Sequence, residues 1–373
     1  MEKSSVYFTT FKATPQETLL QKLHRLMKTA GFEKIDFTDK YAAIKIHFGE
    51  YGNLAFLRPN YSRVVADYVK ELGGKPFLTD CNTLYVGSRK NALDHLDTAF
   101  MNGFSPMQTG CHVIIADGLK GTDEALVPIN LEYVKEAKIG QAIMDADIFI
   151  TLSHFKGHEE AGFGGALKNT GMGCGSRAGK MEQHCDGKPL VREELCVGCH
   201  ACAKICAHEG PVFENGKARI DHDKCVGCGR CLAVCPKNAI VPAYQDSVKL
   251  LNYKIAEYSY AVLKDRPSFH ISLICDVSPF CDCHAENDIP IIPDVGMLAS
   301  FDPVALDQAC VDLCNQMPVI EGSRLDDHFH EFGDTDPDHE YFHMNHPDAH
   351  WQTCLEHAEK IGIGTRSYEL IRI

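Results

Sequence analysis

Eight cysteines between Cys196 and Cys235 constrain this chain more than any other feature. They form two runs of one spacing, Cys196-x2-Cys199-x2-Cys202-x3-Cys206 and Cys225-x2-Cys228-x2-Cys231-x3-Cys235-Pro236. Thiolates at such short intervals can only be aimed at a common centre by tight loops, so the runs read as metal ligands. Paired C-x2-C motifs also build zinc sites, but two zinc sites do not require two runs of four in one repeated spacing. The stretch Cys196-Val-Gly-Cys199-His200 matches the attachment pattern of a c-type haem, which would leave the other six cysteines unexplained. Disulfides need an oxidising compartment. The segment MEKSSVYFTT carries no apolar run of signal-peptide length, so a cytoplasmic location is expected.

The ladder resembles the bacterial two-cluster ferredoxin family over residues 187–245. In that family three thiolates of each run hold one cubane and the fourth reaches across to the other. The resemblance implies one [4Fe–4S] cluster on Cys196, Cys199, Cys202 and Cys235, and a second on Cys225, Cys228, Cys231 and Cys206. The first run departs from the pattern at Cys206-Ala207, where the second has Cys235-Pro236. Eighteen cysteines in a cytoplasmic chain also point to a low-oxygen lifestyle, because exposed clusters oxidise readily.

At 373 residues the chain is long enough for two or three domains. A net charge of −14 removes the electrostatic footprint of a nucleic-acid binder, and no apolar stretch has the length of a membrane span. Strands are expected at Tyr41–Phe48, Lys75–Asp80, His112–Asp117, Asp147–Ser153 and Ser268–Cys275. Helices are expected over Glu17–Met27, Pro59–Leu72, Ser88–Asn102 and from Pro303 to about Asn315, the last capped by Asp302. This alternation predicts an α/β fold, a mainly parallel sheet flanked by helices, with a small α+β ferredoxin-like domain inserted in it. The expected division is 1–186 and 246–373 for the α/β domain and 187–245 for the insertion. Ligand-binding residues of such sheets gather at the carboxyl ends of strands, where His47, Asp80, Asp117 and His154 fall.

Between Ser153 and His184 lie six glycines from Gly162 to Gly175, the cations Lys156, Lys168, Arg177 and Lys180, and the histidines His154, His158 and His184. This composition reads as a glycine-rich loop whose backbone N–H groups approach an anionic ligand, weighed against a packing loop over the sheet whose histidines are merely hydrogen-bonded. Ser153-His-Phe-Lys-Gly-His158, the run Gly-Phe-Gly-Gly-Ala-Leu-Lys168-Asn169 and Arg177-x-Gly-Lys180 resemble the family catalogued as domain of unknown function 362. So do His47-Phe-Gly-Glu50, Asp80-Cys-Asn-Thr83, Cys281-Asp-Cys283, the run Ser300 to Asp307 and the segment Trp351 to Leu370. Members commonly carry an inserted two-cluster ferredoxin. Ala161 to Lys168 is also similar to the active-site loop of nickel-pincer lactate racemases, where a loop lysine anchors the cofactor; that likeness points to Lys168.

A further metal site is weighed at Cys281 and Cys283, with Cys275, His284 or Asp294, against a turn that the two cysteines merely shape. The acidic, histidine-rich stretch from Asp326 to His350 reads as a solvated surface. The leading expectation is an iron–sulfur electron-transfer protein or oxidoreductase. A redox partner protein would load two clusters that exchange electrons with a small anionic ligand near His47, Asp80, His154, His158 and Lys168. Two alternatives stand beside it: a carrier whose α/β domain only docks partners, and a non-redox metallocofactor enzyme with structural clusters. No G-x-G-x-x-G follows a strand with the expected acidic residue downstream, so NAD or flavin is not expected.

Overall fold

The computed structural model describes residues 3–85, 87–185, 188–242, 248–336 and 338–373. The expected domain boundaries at 186/187 and 245/246 fall on or beside residues outside those described. Eight strands form the main sheet: β1 (Ser4–Thr10), β2 (Tyr41–Lys45), β3 (Lys75–Asp80), β4 (His112–Ile115), β5 (Ile148–His154), β6 (Ser268–Ile274), β7 (Gly296–Ser300) and β8 (Tyr368–Arg372). Their order is β8-β1-β7-β6-β5-β2-β3-β4. Only β7 runs against the rest, pairing antiparallel with β1 (Tyr7 opposite Ala299) and with β6 (His270 opposite Ser300). The fold is therefore the expected α/β class, with β6 completing the sheet in parallel beside β5.

Every residue of β5 is buried. Its run Ile-Phe-Ile-Thr-Leu-Ser-His is continuous rather than alternating because both faces of a central parallel strand are covered. On one face, α1 (Leu19–Thr29), α2 (Pro59–Glu71) and α3 (Ala92–Met101) flank the sheet. Leu23, Leu26, Val65, Val69 and Ala99 of these helices pack on Ile44, Leu78, Ile150 and Leu273. The first helix begins with a capping box, Thr18 and Gln21 satisfying each other's backbone N–H. The third starts later than expected, at Ala92, because the Asn91 side chain accepts from the N–H groups of Leu93 and Asp94 and so sets the cap.

The opposite face carries α4 (Ala166–Cys174), α5 (Arg177–Cys185), α6 (Val248–Leu263), α7 (Pro303–Cys314) and α8 (Trp351–Lys360). Leu167, Ile255, Val304 and Leu355 pack there with Val6 and Phe8. The segment expected to be a glycine-rich loop is ordered differently. It is a short hairpin, Lys156–His158 with Gly162–Gly164, followed by α4 and α5. Its glycines permit close packing: a Cβ on Gly171 would lie 2.2 Å from the Ile255 carbonyl of α6. The N–H groups at the start of α4 are taken too, Ala166 and Leu167 donating to the Asp307 carboxylate at 2.7 and 2.9 Å. They are not available to cradle an anion.

The cysteine-rich segment enters on Pro189–Val191 and leaves on Ile240–Pro242, and these two strands pair antiparallel. Its entry and exit are thus neighbours. Between them lie a hairpin, Pro211–Glu214 with Lys217–Ile220, and two one-turn helices, Ala201–Ile205 and Arg230–Val234, each beginning just after a left-handed residue, His200 or Gly229. Among the described residues no helix is long and apolar enough to cross a membrane.

Candidate functional site

A cavity of about 300 Å³ opens at the carboxyl ends of the parallel strands. His47 stands two residues beyond β2, Asp80 ends β3 and His154 ends β5. His158 comes from the hairpin, Lys168 from α4, and Cys281 and Cys283 from the loop after β6. All seven line this one cavity. The pocket residues and the cysteine pair, weighed separately in the sequence, share a single wall. Cys275 does not join them. Its side chain is buried in the core beneath α2, and burial raises its thiol.

Most of the charge here is paired. Lys45 lies 2.9 Å and Arg89 3.2 Å from the Asp80 carboxylate, and Arg89 reaches Glu50 at 3.2 Å. Burial alone would raise Asp80, but Lys45 and its cationic neighbours outweigh it and hold the carboxyl well below its usual range. Burial, reinforced by Arg89, lowers His47 to about 3, so its ring is neutral at physiological pH. The His47 Nδ1 accepts from the Gly49 N–H at 3.0 Å, which leaves its proton on Nε2.

His154 faces acceptors on both sides. Its Nδ1 lies 2.9 Å from both Asp282 oxygens and its Nε2 2.7 Å from the Cys275 carbonyl. Both bonds can be made only when both ring nitrogens carry hydrogen. Lys156 stands 3.5 Å from the same carboxylate. Burial opposes ionisation of Asp282, and His154 with Lys156 overcome it. These groups anchor Asp282, and with it the cysteines on either side. Lys168 differs from the other cavity cations. Among the described residues it has no hydrogen bond or ion pair. Lys180 caps the end of α4, donating to the carbonyls of Gly173 (3.2 Å) and Gly175 (2.6 Å).

Cys281, Cys283 and His158 place three ligand atoms within 4.8 Å of one another, and Glu159, Cys283 and His284 form a second such group. Either trio has the donors of a zinc or iron site. A hydrogen bond from Cys283 holds Cys281 well below the ordinary thiol range against the pull of burial, with Lys168 and Lys156 assisting. The same bond raises Cys283. Asp282, Lys45, Tyr85 and Arg89 escaped the sequence reading. The last three lie in ordinary strand or loop context, and only the fold brings them to the cavity.

The eight cysteines of the ladder fall into two groups. Cys196, Cys199, Cys202 and Cys235 line one small cavity, and Cys206, Cys225, Cys228 and Cys231 another. Backbone N–H groups point at the sulfurs, Ala218 to Cys196 at 3.3 Å, Gly210 to Cys206 at 3.4 Å and Ala239 to Cys235 at 3.2 Å. Donors so placed suit thiolate ligands that carry negative charge. The first cavity abuts Phe213, which stacks on His200 at 3.8 Å. The second run lies against Arg177 of α5, since a Cβ on Gly229 would sit 2.8 Å from its Cγ; Arg177 is fully buried and held in the α/β unit by donating to the carbonyls of Thr83, Lys90 and Lys120. Leu84, which lines the large cavity, also packs in the cysteine segment's own core with Met181, Cys196 and Cys202. Leu84 therefore borders both.

In the late acidic stretch, histidines pair with neighbouring aspartates, His339 with Asp334 and His343 with Asp336. Parts of it are buried, Tyr341, Phe342 and Met344 among them, so it is not wholly the solvated surface expected.

The model of the family described as domain of unknown function (DUF362) matches residues 42–312, most of the chain, which belongs to that family. No curated protein matches the sequence. Among solved structures, the lactate racemase apoprotein from Thermoanaerobacterium thermosaccharolyticum is 11% identical with a TM-score of 0.35, over 73% of this chain and 51% of that one. A protein from Thermotoga maritima is 13% identical with a TM-score of 0.40, over 80% of this chain and 58% of that one. The chain thus spans little more than half the length of either.

Proposed function

We propose that this member of the DUF362 family is an iron–sulfur redox protein whose cysteine segment exchanges electrons with a small anionic ligand in the cavity at the sheet's carboxyl edge. The observation that carries this reading is the division of eight cysteines into two cavity-lining groups of four, next to a wall shared with the larger cavity. Cys196, Cys199, Cys202 and Cys235 would hold one [4Fe–4S] cluster, and Cys206, Cys225, Cys228 and Cys231 the other. Such clusters supply one-electron transfers. A redox partner protein would meet the exposed side of the segment, where Cys199 is itself exposed.

In the cavity, Lys168 is the cation left over for an anionic group on the ligand, since Lys45, Arg89 and Lys156 already face carboxylates. The His47 Nε2–H is a donor that can orient the ligand. The walls are largely buried, which strengthens each of these contacts. The test begins with anaerobic purification and measurement of iron, sulfide, zinc and nickel. About eight iron and eight sulfide per chain, with spectra that respond to anions in the parent but not in Lys168→Ala, are expected. Zinc without sulfide would sink the reading.

The group Glu159, Cys283 and His284 favours a second reading, a metallocofactor enzyme in which the clusters serve structure. Its mark would be an additional stoichiometric metal, and turnover that survives loss of the clusters.

A further inference from the structure

Cys281 and Cys283 flank Asp282 on the loop after β6, and the iron–sulfur reading leaves their chemistry unused. Two occupations fit two sulfurs and an imidazole nitrogen within 4.8 Å, a metal ion or a redox-active sulfur pair. The hydrogen bonding of His158 separates them. Its Nδ1 accepts from the backbone N–H groups of Glu160 and Ala161, both at 3.1 Å. The ring proton therefore sits on Nε2. A metal on Nε2 would require that proton to move to Nδ1, where two N–H donors already point. As built, the ring offers the sulfurs a hydrogen and not a lone pair.

The turn is also held rigidly. The Asp282 carboxylate takes His154 at 2.9 Å, and its carbonyl accepts from the Glu50 N–H at 2.9 Å. The Cys281 carbonyl accepts from His284 N–H at 3.0 Å. Both sulfurs belong to the cavity wall that Lys168 also lines. Rigid spacing, a donor imidazole and a nearby cation are what a reactive thiolate needs.

We propose that Cys281 and Cys283 form a redox-active dithiol, the two-electron port between the iron–sulfur segment and the cavity ligand. This rests on the iron–sulfur reading for its electron source. Clusters deliver electrons singly, and a pair of cysteines stores two. In the oxidised form the two sulfurs share an S–S bond. Two electrons, one from each reduced cluster, break that bond. The Cys283 sulfur takes one proton, while Cys281 remains a thiolate that accepts from Cys283 S–H and His158 Nε2–H. The ligand class such a port serves is a small anionic disulfide. Cys281 attacks one ligand sulfur and expels the first thiolate. Cys283 then attacks Cys281, its proton passing to the second ligand sulfur as that sulfur leaves, and the protein disulfide is restored. One ligand disulfide becomes one thiolate and one thiol, and the protein pair supplies both electrons.

The test uses the full chain purified without oxygen. After mild oxidation, tandem mass spectrometry should place a disulfide between Cys281 and Cys283, reversible by dithiothreitol. Reductive titration should take up about four electrons per chain in the parent and about two in Cys281→Ser, with the cluster signals unchanged. Cys283→Ser should behave alike, and serves if the first variant does not fold. Free thiols at both positions after oxidation would overturn the proposal, as would a stoichiometric zinc lost in Cys281→Ser. A chain without iron and sulfide that still forms the disulfide would uphold the dithiol while overturning its electron source and the iron–sulfur reading.

Discussion

The two chemical regions of this molecule are assembled in opposite ways. In the cysteine segment the eight cysteines lie within two short runs, and local turns gather them; each one-turn helix starts just after a left-handed residue, His200 or Gly229. In the cavity, His47, Asp80, His154, His158, Lys168 and Cys281 come from the ends of different strands, a hairpin, a helix and a loop. A local site tolerates much change elsewhere but little in its own spacing. A site built from distant segments depends on the pairs that hold those segments in register. The two regions should therefore break under different mutations.

The largest expected effect is on the local side. Cys228→Ala should roughly halve iron and sulfide per chain, and leave the main transition of thermal unfolding by circular dichroism little moved. A transition lost with the cluster would mean that the sheet depends on the segment. On the other side, Asp282→Asn strips His154 and Lys156 of their buried carboxylate. It should cost about 3–5 kcal/mol in urea unfolding while iron content stays at the parent value.

Next comes the boundary between the regions. Gly229 has φ of 67°, and a Cβ there would lie 2.8 Å from Cγ of Arg177, which is pinned by three carbonyls. Gly229→Ala should cost about 1–3 kcal/mol. The equivalent position of the first run has no such neighbour, so His200→Gly should cost under about 1 kcal/mol, chiefly the stack on Phe213. Equal costs would show that docking through Arg177 does not distinguish the runs. Lys168→Ala should weaken an anionic ligand about tenfold or more by calorimetry, yet shift stability by less than about 0.5 kcal/mol.

The gentlest perturbation is a change of pH rather than of residue. Burial raises Asp307, under α4, from 3.8 to about 7 even though two N–H groups oppose it. The native state then holds a proton that the unfolded chain releases near pH 4. Its stabilising contribution is present below that pH and is lost as pH rises through about 7, at up to about 1.4 kcal/mol per unit. Asp307→Asn should flatten thermal stability between pH 5 and 7. An unchanged slope would place the titrating group elsewhere.

How much could be read in advance follows the same division. The runs of cysteines, the parallel strands and the residues at their carboxyl ends were legible, because spacing and apolar runs are short-range signals. Composition alone leaves the glycine-rich segment open between a ligand-cradling loop and close packing, and the structure shows a helix packed tightly on its neighbour, with Gly171 against α6. The strands β1 and β8 and the reversed β7 were not expected, as they are defined by pairing across nearly the whole chain.

The sequence by itself determined the α/β sheet class and that eight cysteines come in two runs of one spacing. Both follow from periodicities of a few residues that backbone geometry enforces locally. Only the tertiary structure decided that Cys281 and Cys283 face the same cavity as Lys168, that Asp282 locks them through His154, and that Leu84 borders both regions. Those facts depend on contacts between segments more than a hundred residues apart, whose geometry is set by packing of the whole sheet and its helices rather than by any neighbouring sequence.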